Sequence, residues 1–216
     1  SPCARLMNAS SPACSIRQAV FDSLQHRGSF ICFFKEPMLA DLKLACGCGE
    51  VRGHLTSLSA TLNNHPVCYC DDCQAFVHHL GAQASALDEF GGTAIVQVSP
   101  CQIHVDTGAD QLRCLRLRPK GVTRWYTHCC NTPLANTVSA RLSLSGIVAA
   151  FIDEPGTALG AVRYRIQGLH ALNAPAELRI AAAFPRRMVM SIVLQLLMAR
   201  IAGRHKPSPF HDNDSR

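Results

Sequence analysis

The stretch DLKLACGCGEVRGHL, residues 41–55, predicts a β-hairpin that carries two cysteines at its turn. Apolar and polar residues alternate from Leu42 to Cys46, which is typical of a strand with one buried face. Glycines then interrupt the pattern before a second run begins. Residues two apart in a straight strand have Cβ atoms roughly 7 Å apart, so a C-x-C pair must curl to bind one metal ion, and the glycines permit that curl. Cys46 and Cys48 therefore predict half of a tetrahedral metal site.

The same texture of short apolar runs, broken by Gly, Pro, Asn and Asp, continues to about residue 137. Three further strand candidates are TAIVQVSP (93–100), QIHVDTG (102–108) and LRCLRLRP (112–119). One short helix is predicted between β-strand candidates of this region, because apolar residues recur there at i, i+3, i+4 and i+7 and the pattern stops before a glycine. These residues are Cys73, Phe76, Val77 and Leu80. We therefore predict a mainly β fold with one helix in this part of the chain.

The hexapeptide CYCDDC, residues 68–73, leads directly into this helix. It places Cys68 and Cys70 before the helix and Cys73 in its first turn, where Asp71 or Asp72 can cap the free N–H groups. No fourth thiol lies nearby in the sequence. Three protein ligands with an open fourth position are typical of catalytic zinc, whereas four are typical of structural zinc. The C-x-x-C spacing within the hexapeptide also permits a redox motif, although that motif normally lies in a βαβ unit.

The other half of the first site must come from elsewhere in the chain. The candidates lie in THCC, residues 127–130, between a predicted strand and a predicted loop, NTPLANT. Adjacent residues of an extended chain point to opposite faces, so Cys129 and Cys130 share one ion only through a tight turn.

Composition favours metal over disulfides for these cysteines. Twelve cysteines occur among 216 residues, and their C-x-C and C-x-C-x-x-C clusters suit metal ligation. The start of the chain has no pattern of a secretory signal, so we expect a reducing compartment, most simply the cytoplasm. Nucleic-acid binding is not predicted. The formal charge of +6 is modest, and seven cysteine thiolates, at −7, with two bound Zn²⁺, at +4, would lower it to about +3.

A basic stretch, LRCLRLRPKGVTRW (residues 112–125), begins with the last strand candidate. Its cations are Arg113, Arg116, Arg118, Lys120 and Arg124. They could steer an anionic thiol towards a site, but we favour the solvent-exposed face of a strand, with its leucines turned inward.

The chain divides into four predicted segments. Residues 1–38 form a peripheral N-terminal arm, 39–140 a zinc-binding β domain, 141–204 a C-terminal extension with helices packing on the core, and 205–216 a polar tail. The changes in apolar periodicity and in Pro and Gly content place these boundaries.

Two helices are predicted in the C-terminal extension, ALNAPAELRIAAAF (171–184) and residues 186–202. The second is apolar almost all round, so we expect it to be buried against the β core or against a partner subunit, which would make an oligomer. Its apolar run is too short, and too interrupted by Gln195 and Arg200, to span a bilayer.

Taken in order, CGCGEVRG (46–53), CYCDDCQAF (68–76) and RWYTHCCNTPLANT (124–137) resemble the motif series of the glutathione-dependent formaldehyde-activating enzymes and centromere protein V, the GFA/CENP-V family. The resemblance covers roughly residues 41–137. It implies the Mss4-like β-tent fold and two Zn²⁺ sites. One is a structural zinc on Cys46, Cys48 and the late cysteines, and the other is an open zinc on the cysteines of CYCDDC.

Two departures from the family pattern indicate a divergent branch. Aligning the late motif places Cys130 at its second cysteine and Thr127 where the first belongs, so Cys129 is the natural substitute, with His128 as its competitor. Tyr69 occupies the position between the first two cysteines of CYCDDC where the family usually has histidine.

The resemblance implies the condensation of formaldehyde with glutathione to S-hydroxymethylglutathione, a carbon–sulfur lyase-type reaction. Our leading hypothesis is therefore a zinc enzyme that acts on a small thiol or aldehyde adduct, with Cys68, Cys70 and Cys73 as ligands of the catalytic zinc. The alternative is a non-catalytic, zinc-stabilised binding module, and a redox or thiol-sensing protein is the third possibility.

Overall fold

The structure is a computed structural model of the chain. It describes residues 41–56, 58, 64–139, 142, 144–153, 159, 161–201, 209 and 210. The predicted N-terminal arm, residues 1–38, lies outside the described residues. Across the described ranges the chain forms ten strands in two sheets and three α-helices, so the prediction of a mainly β fold is confirmed.

The strands are β1 (Leu42–Ala45), β2 (Arg52–Leu55), β3 (Pro66–Cys68), β4 (Thr93–Val98), β5 (Ile103–Thr107), β6 (Leu112–Leu115), β7 (Thr123–Thr127), β8 (Pro133–Thr137), β9 (Ser145–Val148) and β10 (Tyr164–Ile166). The α-helices are α1 (Asp71–Leu80), α2 (Gln83–Ala86) and α3 (Arg186–Ile201).

The smaller sheet has the order β1-β2-β5 and the larger one β10-β3-β4-β9-β8-β7-β6. All pairs are antiparallel except β10 with β3. The pairs β1–β2, β6–β7 and β7–β8 join strands that are consecutive in the chain, so each of them forms a hairpin with a connecting turn. Two of these turns, β1–β2 and β7–β8, carry the four cysteines predicted for the closed site.

The main hydrophobic core joins the two sheets. It combines residues of the small sheet with residues of the large one: Leu42, Leu44, Leu55, Ile103, Val96, Val98, Leu112, Trp125, Leu134, Ala135 and Ile147. Cys46 belongs to the same core, so the apolar packing that joins the sheets also positions the first cysteine of the closed site.

A smaller apolar cluster lies where β3, β10, α1 and α3 meet. Cys68, Cys73, Ile166 and Met188 are its buried members. The predicted helix stripe is confirmed, since Cys73 and the three apolar residues after it along the stripe are all buried. Gly81 ends α1 in the left-handed conformation, at φ +69°, which glycine adopts without a steric penalty.

Two sequence-based predictions of local structure were wrong. The segment PLANT, predicted as part of a loop, forms β8, because pairing with both β7 and β9 outweighs the weak strand propensity of Pro133 and Asn136. The stretch 171–184, predicted as a helix, contains only the 3₁₀ turn Ala176–Leu178. Asn173 and Arg179 have positive φ there, which interrupts an α-helix. One C-terminal α-helix, α3, is therefore present among the described residues.

Helix α3 is less buried than predicted. Within it, Met188 and Ala199 are buried, while its outer face exposes Val189, Met190, Val193, Leu194, Leu197, Met198 and Ile201. None of the helices in the described part of the chain combines the length and the hydrophobicity that crossing a bilayer requires. In the predicted polar tail, Phe210 is buried, with its ring centroid 5.2 Å from that of Trp125.

Truncating Ile147 to alanine tests the proposed centre of the core. Its side chain is fully buried, between β4 and β8. We expect Ile147→Ala to lower the free energy of unfolding by about 2–5 kcal/mol, because it leaves a cavity. The control Val138→Ala removes a side chain that is 54 % exposed, and it should cost about 0.5 kcal/mol or less. Urea denaturation of the metal-loaded protein measures both, and equal midpoints would contradict this description of the core.

Candidate metal centres

Four cysteines from two hairpin turns form the first group. Cys46 and Cys48 lie in the β1–β2 turn, and Cys129 and Cys130 lie in the β7–β8 turn. Their sulfur atoms all lie within 4.8 Å of one another, and the group could hold a metal ion. The Sγ atom of Cys46 is 3.5 Å from that of Cys48 and 3.8 Å from that of Cys129. A tetrahedral zinc site requires sulfurs about 3.8 Å apart, so these spacings match zinc closely.

The β1–β2 turn curls as the C-x-C spacing requires. Cys46 donates its N–H to the carbonyl of Val51 at 3.0 Å, and Gly49 donates to the carbonyl of Cys46 at 2.8 Å with φ at +77°. The N–H of Val51 also donates to the Sγ atom of Cys46 at 3.3 Å. These hydrogen bonds hold the Cys46 sulfur in place before any ion arrives.

The β7–β8 turn brings the sulfur atoms of two adjacent cysteines to the same side of the chain. Asn131 has φ at +55° and donates its N–H to the carbonyl of Thr127 at 2.8 Å, which closes a tight turn around the pair. The N–H of Thr132 donates to the Thr127 hydroxyl at 3.0 Å. The turn directs Cys129 and Cys130 towards the same point, with their sulfurs 3.8 Å apart.

Of the two candidates for the fourth ligand, the structure places Cys129 in the group and not His128. His128 is exposed and donates its backbone N–H to the carbonyl of Gln111 at 2.7 Å. Thr127, which aligns with the family's first late cysteine, is buried, and its hydroxyl lies 3.4 Å from the Sγ atom of Cys130. Thr127 therefore supports a ligand instead of being one.

The surroundings of the late cysteines separate their pKa values. Burial raises the pKa of Cys130, but hydrogen bonds with the hydroxyls of Thr127 and Thr132 outweigh it and lower that pKa to about 5. Burial and the thiol of Cys48 raise the pKa of Cys129 to about 12. Cys130 is therefore the anionic sulfur of this pair near neutral pH.

Three cysteines form the second group, at the point where β3 leads into α1. Cys68 ends β3, Cys70 is the N-cap of α1 and Cys73 lies in its first turn. Their sulfurs also lie within 4.8 Å of one another, and the group could hold a metal ion. The predicted aspartate caps are displaced by one residue, because Cys70 occupies the cap and Asp71 instead accepts the N–H of Asp72 at 2.9 Å.

The second group is more enclosed than the first. Cys68 and Cys73 are 6 % and 5 % exposed, whereas Cys70 is half-buried. Met188 of α3 is completely buried against the cluster, and Ile192 packs beside it. The open side of the three sulfurs is therefore the side of Cys70.

Hydrogen bonds among the three thiols favour one anionic sulfur. Contacts with Cys68 and Cys73 lower the pKa of Cys70 to about 2, and the charge of Arg124 contributes in the same direction. The contact with Cys70 raises the pKa of Cys68. In the absence of metal, Cys70 thus accepts hydrogen bonds from its two neighbours.

Arg124 is the residue of this site that sequence reasoning did not identify. It belongs to the predicted basic stretch, but β7 turns it inward, where it donates from Nη1 to the Sγ atom of Cys73 at 3.6 Å. Arg113, Arg116, Arg118 and Lys120 are exposed, as predicted for a solvated face, while Leu117 is exposed against prediction. Arg118 also reaches α1, with Nη2 3.3 Å from Asp71 and 3.1 Å from Asp72.

Tyr69, in the position of the family's histidine, is fully buried. Its hydroxyl donates to Asp88 Oδ2 at 2.9 Å, and burial together with that carboxylate raises its pKa to about 12. Tyr69 therefore anchors the loop after α2. His79, on α1 six positions after Cys73, is exposed. Outside the two cysteine groups, Cys101 is buried, while Cys114 is half-buried and disulfide-bonded.

Alkylation of the metal-free protein tests the assignment of the anionic sulfur. At pH 6, Cys130 should react with iodoacetamide well before Cys129, because a pKa of about 5 leaves most of it ionised, while an ordinary thiol of pKa about 8.5 is ionised to below about 1 %. Removing the hydroxyl in Thr132→Val should slow Cys130 at this pH. Mass spectrometry of the labelled peptides measures the order. Equal rates for the two cysteines would show that the threonine hydroxyls do not stabilise the thiolate.

Comparison with known proteins gives a family but no activity. A search of solved structures matches a crystal structure of a Rhodobacter sphaeroides protein with 17 % identity and a TM-score of 0.40, over 56 % of this chain and 97 % of that one. A search of curated proteins gives no match. The model of a family of unknown function, DUF6151, matches residues 38–215 and so spans both cysteine groups. The chain therefore belongs to the DUF6151 family of unknown function.

Proposed function

We propose that this protein binds two Zn²⁺ ions and is a divergent relative of the GFA/CENP-V proteins with the Mss4-like β-tent architecture. The observation that supports this best is that two separate cysteine groups, four and three in number, are assembled in the arrangement that the motif resemblance implies. Sulfur spacings near 3.8 Å in the first group fit zinc–thiolate geometry. The four-cysteine centre has a full protein ligand set and serves folding.

The three-cysteine centre is the proposed site of chemistry. We infer a carbon–sulfur lyase-type reaction on a thiol–aldehyde adduct similar to S-hydroxymethylglutathione. In the forward direction the sulfur of the thiol attacks the aldehyde carbon, a C–S bond forms, the C=O π bond breaks, and the proton lost by the thiol reaches the new hydroxyl oxygen. The reverse reaction breaks the same C–S bond and returns the proton to sulfur. The bound metal would supply Lewis acidity that stabilises negative charge on sulfur or oxygen.

The chain's own residues shape access to this centre. Cys68 and Cys73 are buried, so substrate must approach beside the half-buried Cys70. Met188 and Ile192 provide an apolar wall that excludes water from the other side. Arg118 lies by the start of α1, 63 % exposed, but its charge is already matched there by Asp71 and Asp72, so it does not attract an anionic thiol. The cytoplasmic location and an oligomer formed through α3 stay predictions.

The non-catalytic alternative also has a specific observation in its favour. Met188 is fully buried against Cys68 and Cys73, so the C-terminal helix covers much of the three-cysteine group. In that case both metal ions stabilise the fold, and the protein acts as a zinc-stabilised binding module. The redox hypothesis has less in its favour, because β3 and β4 on either side of α1 are antiparallel and do not form the βαβ unit in which a C-x-x-C redox motif normally lies.

Metal stoichiometry tests whether the two centres are separate. We expect two zinc ions per wild-type chain and one in Cys70→Ser, because the serine removes a ligand from the second centre alone. Cys130→Ser should also lose one ion and, in addition, destabilise the fold, since its centre ties the two sheets together. Elemental analysis with circular dichroism measures both effects. The control Cys101→Ser changes a cysteine outside both groups and should keep two ions; a second ion retained in Cys70→Ser would contradict the second centre.

An activity assay distinguishes the enzyme hypothesis from the binding-module hypothesis. Formaldehyde with glutathione, or with simpler thiols, should give the S-hydroxymethyl adduct faster with the wild-type protein than without it. The rate should fall about 100-fold or more in Cys70→Ser, as expected when a Lewis-acid centre is lost. NMR exchange measures the rate. X-ray absorption supplies the independent readout: a light oxygen or nitrogen ligand at one zinc supports the enzyme, whereas protein sulfur alone at both supports the module.

A further inference from the structure

Arg124 is a buried cation at the edge of the second centre. It is 4 % exposed, and its Nη1 atom donates both to the Sγ atom of Cys73 at 3.6 Å and to Oδ1 of Asn136 at 3.2 Å. Its guanidinium carbon lies 5.5 Å from the ring centroid of Phe76 on α1. The side chain therefore bridges β7, β8 and α1 beneath the surface.

Among the residues that the structure describes, no carboxylate pairs with this charge. The ion pairs formed among the described residues join His54 to Asp106 and Arg118 to Asp71 and Asp72, and none involves Arg124. Burying a cation without a counter-charge costs several kcal/mol of desolvation free energy in proteins. The neutral amide of Asn136 and the face of Phe76 offset only part of this, since a cation–π contact contributes about 0.5–2 kcal/mol. The negative charge that remains within reach is that of the cysteine group.

We propose that Arg124 is the counter-charge of the three-cysteine centre and positions its thiolates. This rests on the proposed function only in taking Cys68, Cys70 and Cys73 as ligands of a divalent metal ion. Three thiolates around such an ion leave one surplus negative charge, and the guanidinium, which stays protonated in proteins, cancels it. The centre and Arg124 together are then electrically neutral.

Neutrality explains how an ionic centre lies under an apolar cover. Met188 and Ile192 of α3 pack against this cluster and offer no charge or hydrogen-bond donor to an anionic centre. A net charge beneath them would carry a large desolvation penalty, which a neutral unit largely avoids. Arg124 is thus expected to hold the metal in place instead of contacting substrate.

The test compares Arg124→Met, Arg124→Lys and the control Arg118→Met, which removes a nearby arginine that is 63 % exposed. Zinc is titrated away with a competing chelator, and thermal unfolding is followed in the metal-loaded and metal-free protein. We expect Arg124→Met to bind the ion of the second centre about 10–100-fold more weakly, the range found when a group supporting a metal ligand is lost. The four-cysteine centre and Arg118→Met should keep wild-type affinity.

A second readout distinguishes charge from packing. If Arg124 balances the thiolates of the metal centre, Arg124→Met should lower the unfolding temperature of the metal-loaded protein and leave that of the metal-free protein unchanged or higher. Arg124→Lys keeps the positive charge but not the two contacts of Nη1, so it should recover part of the zinc affinity. The same measurements are made on Arg124→Lys alone if Arg124→Met does not fold. Equal destabilisation of both forms, with unchanged zinc affinity in either variant, would overturn the proposal. Loss of affinity without any carbon–sulfur turnover would support Arg124 as the counter-charge while contradicting the proposed activity.

Discussion

The close approach of four sulfur atoms, at about the 3.8 Å spacing of a tetrahedral zinc site, is the constraint on which the rest of this fold depends. Cys46 and Cys129 meet at this spacing although 83 positions separate them in the chain. Their meeting requires the β1–β2 and β7–β8 turns to lie at the same end of the molecule, and therefore requires the two sheets to pack as they do. The core that joins the sheets includes Cys46 itself, so an ion held by the four cysteines would stabilise the same arrangement as the hydrophobic packing.

The second centre follows a different physical rule. The first group is partly exposed, with Cys48 and Cys129 at the surface, so solvent can screen its charge. The second lies under α3, where screening is weak and a charge must be balanced by another charge close by. Arg124 is the buried cation beside this group, and Cys70 is the cysteine of the group that solvent reaches. Two cysteine groups that differ in their exposure and in the charge beside them thus coexist in one small β fold.

Local patterns explain why some features were predictable. The β1–β2 hairpin and helix α1 follow from periodicity and glycine placement within a few residues, and both were predicted. β8 depends on pairing with two neighbouring strands, and a pattern containing Pro133 and Asn136 does not reveal that pairing. Helix α3 was predicted, but its exposed face was not, since apolar residues on every side carry no information about which side is covered.

The clustering of the cysteines in the sequence by itself identified the candidate ligands, because cysteines two or three positions apart can reach one ion, but it did not show that Cys46 and Cys129 meet across 83 positions. Only the tertiary structure decided between Cys129 and His128, since that choice depends on a turn held by Thr127 and Asn131. Only the tertiary structure, likewise, distinguished Arg124 from the other cations of its basic stretch. One position along a strand decides whether a side chain faces water or the interior, and the strands packed on either side decide what charge it meets there.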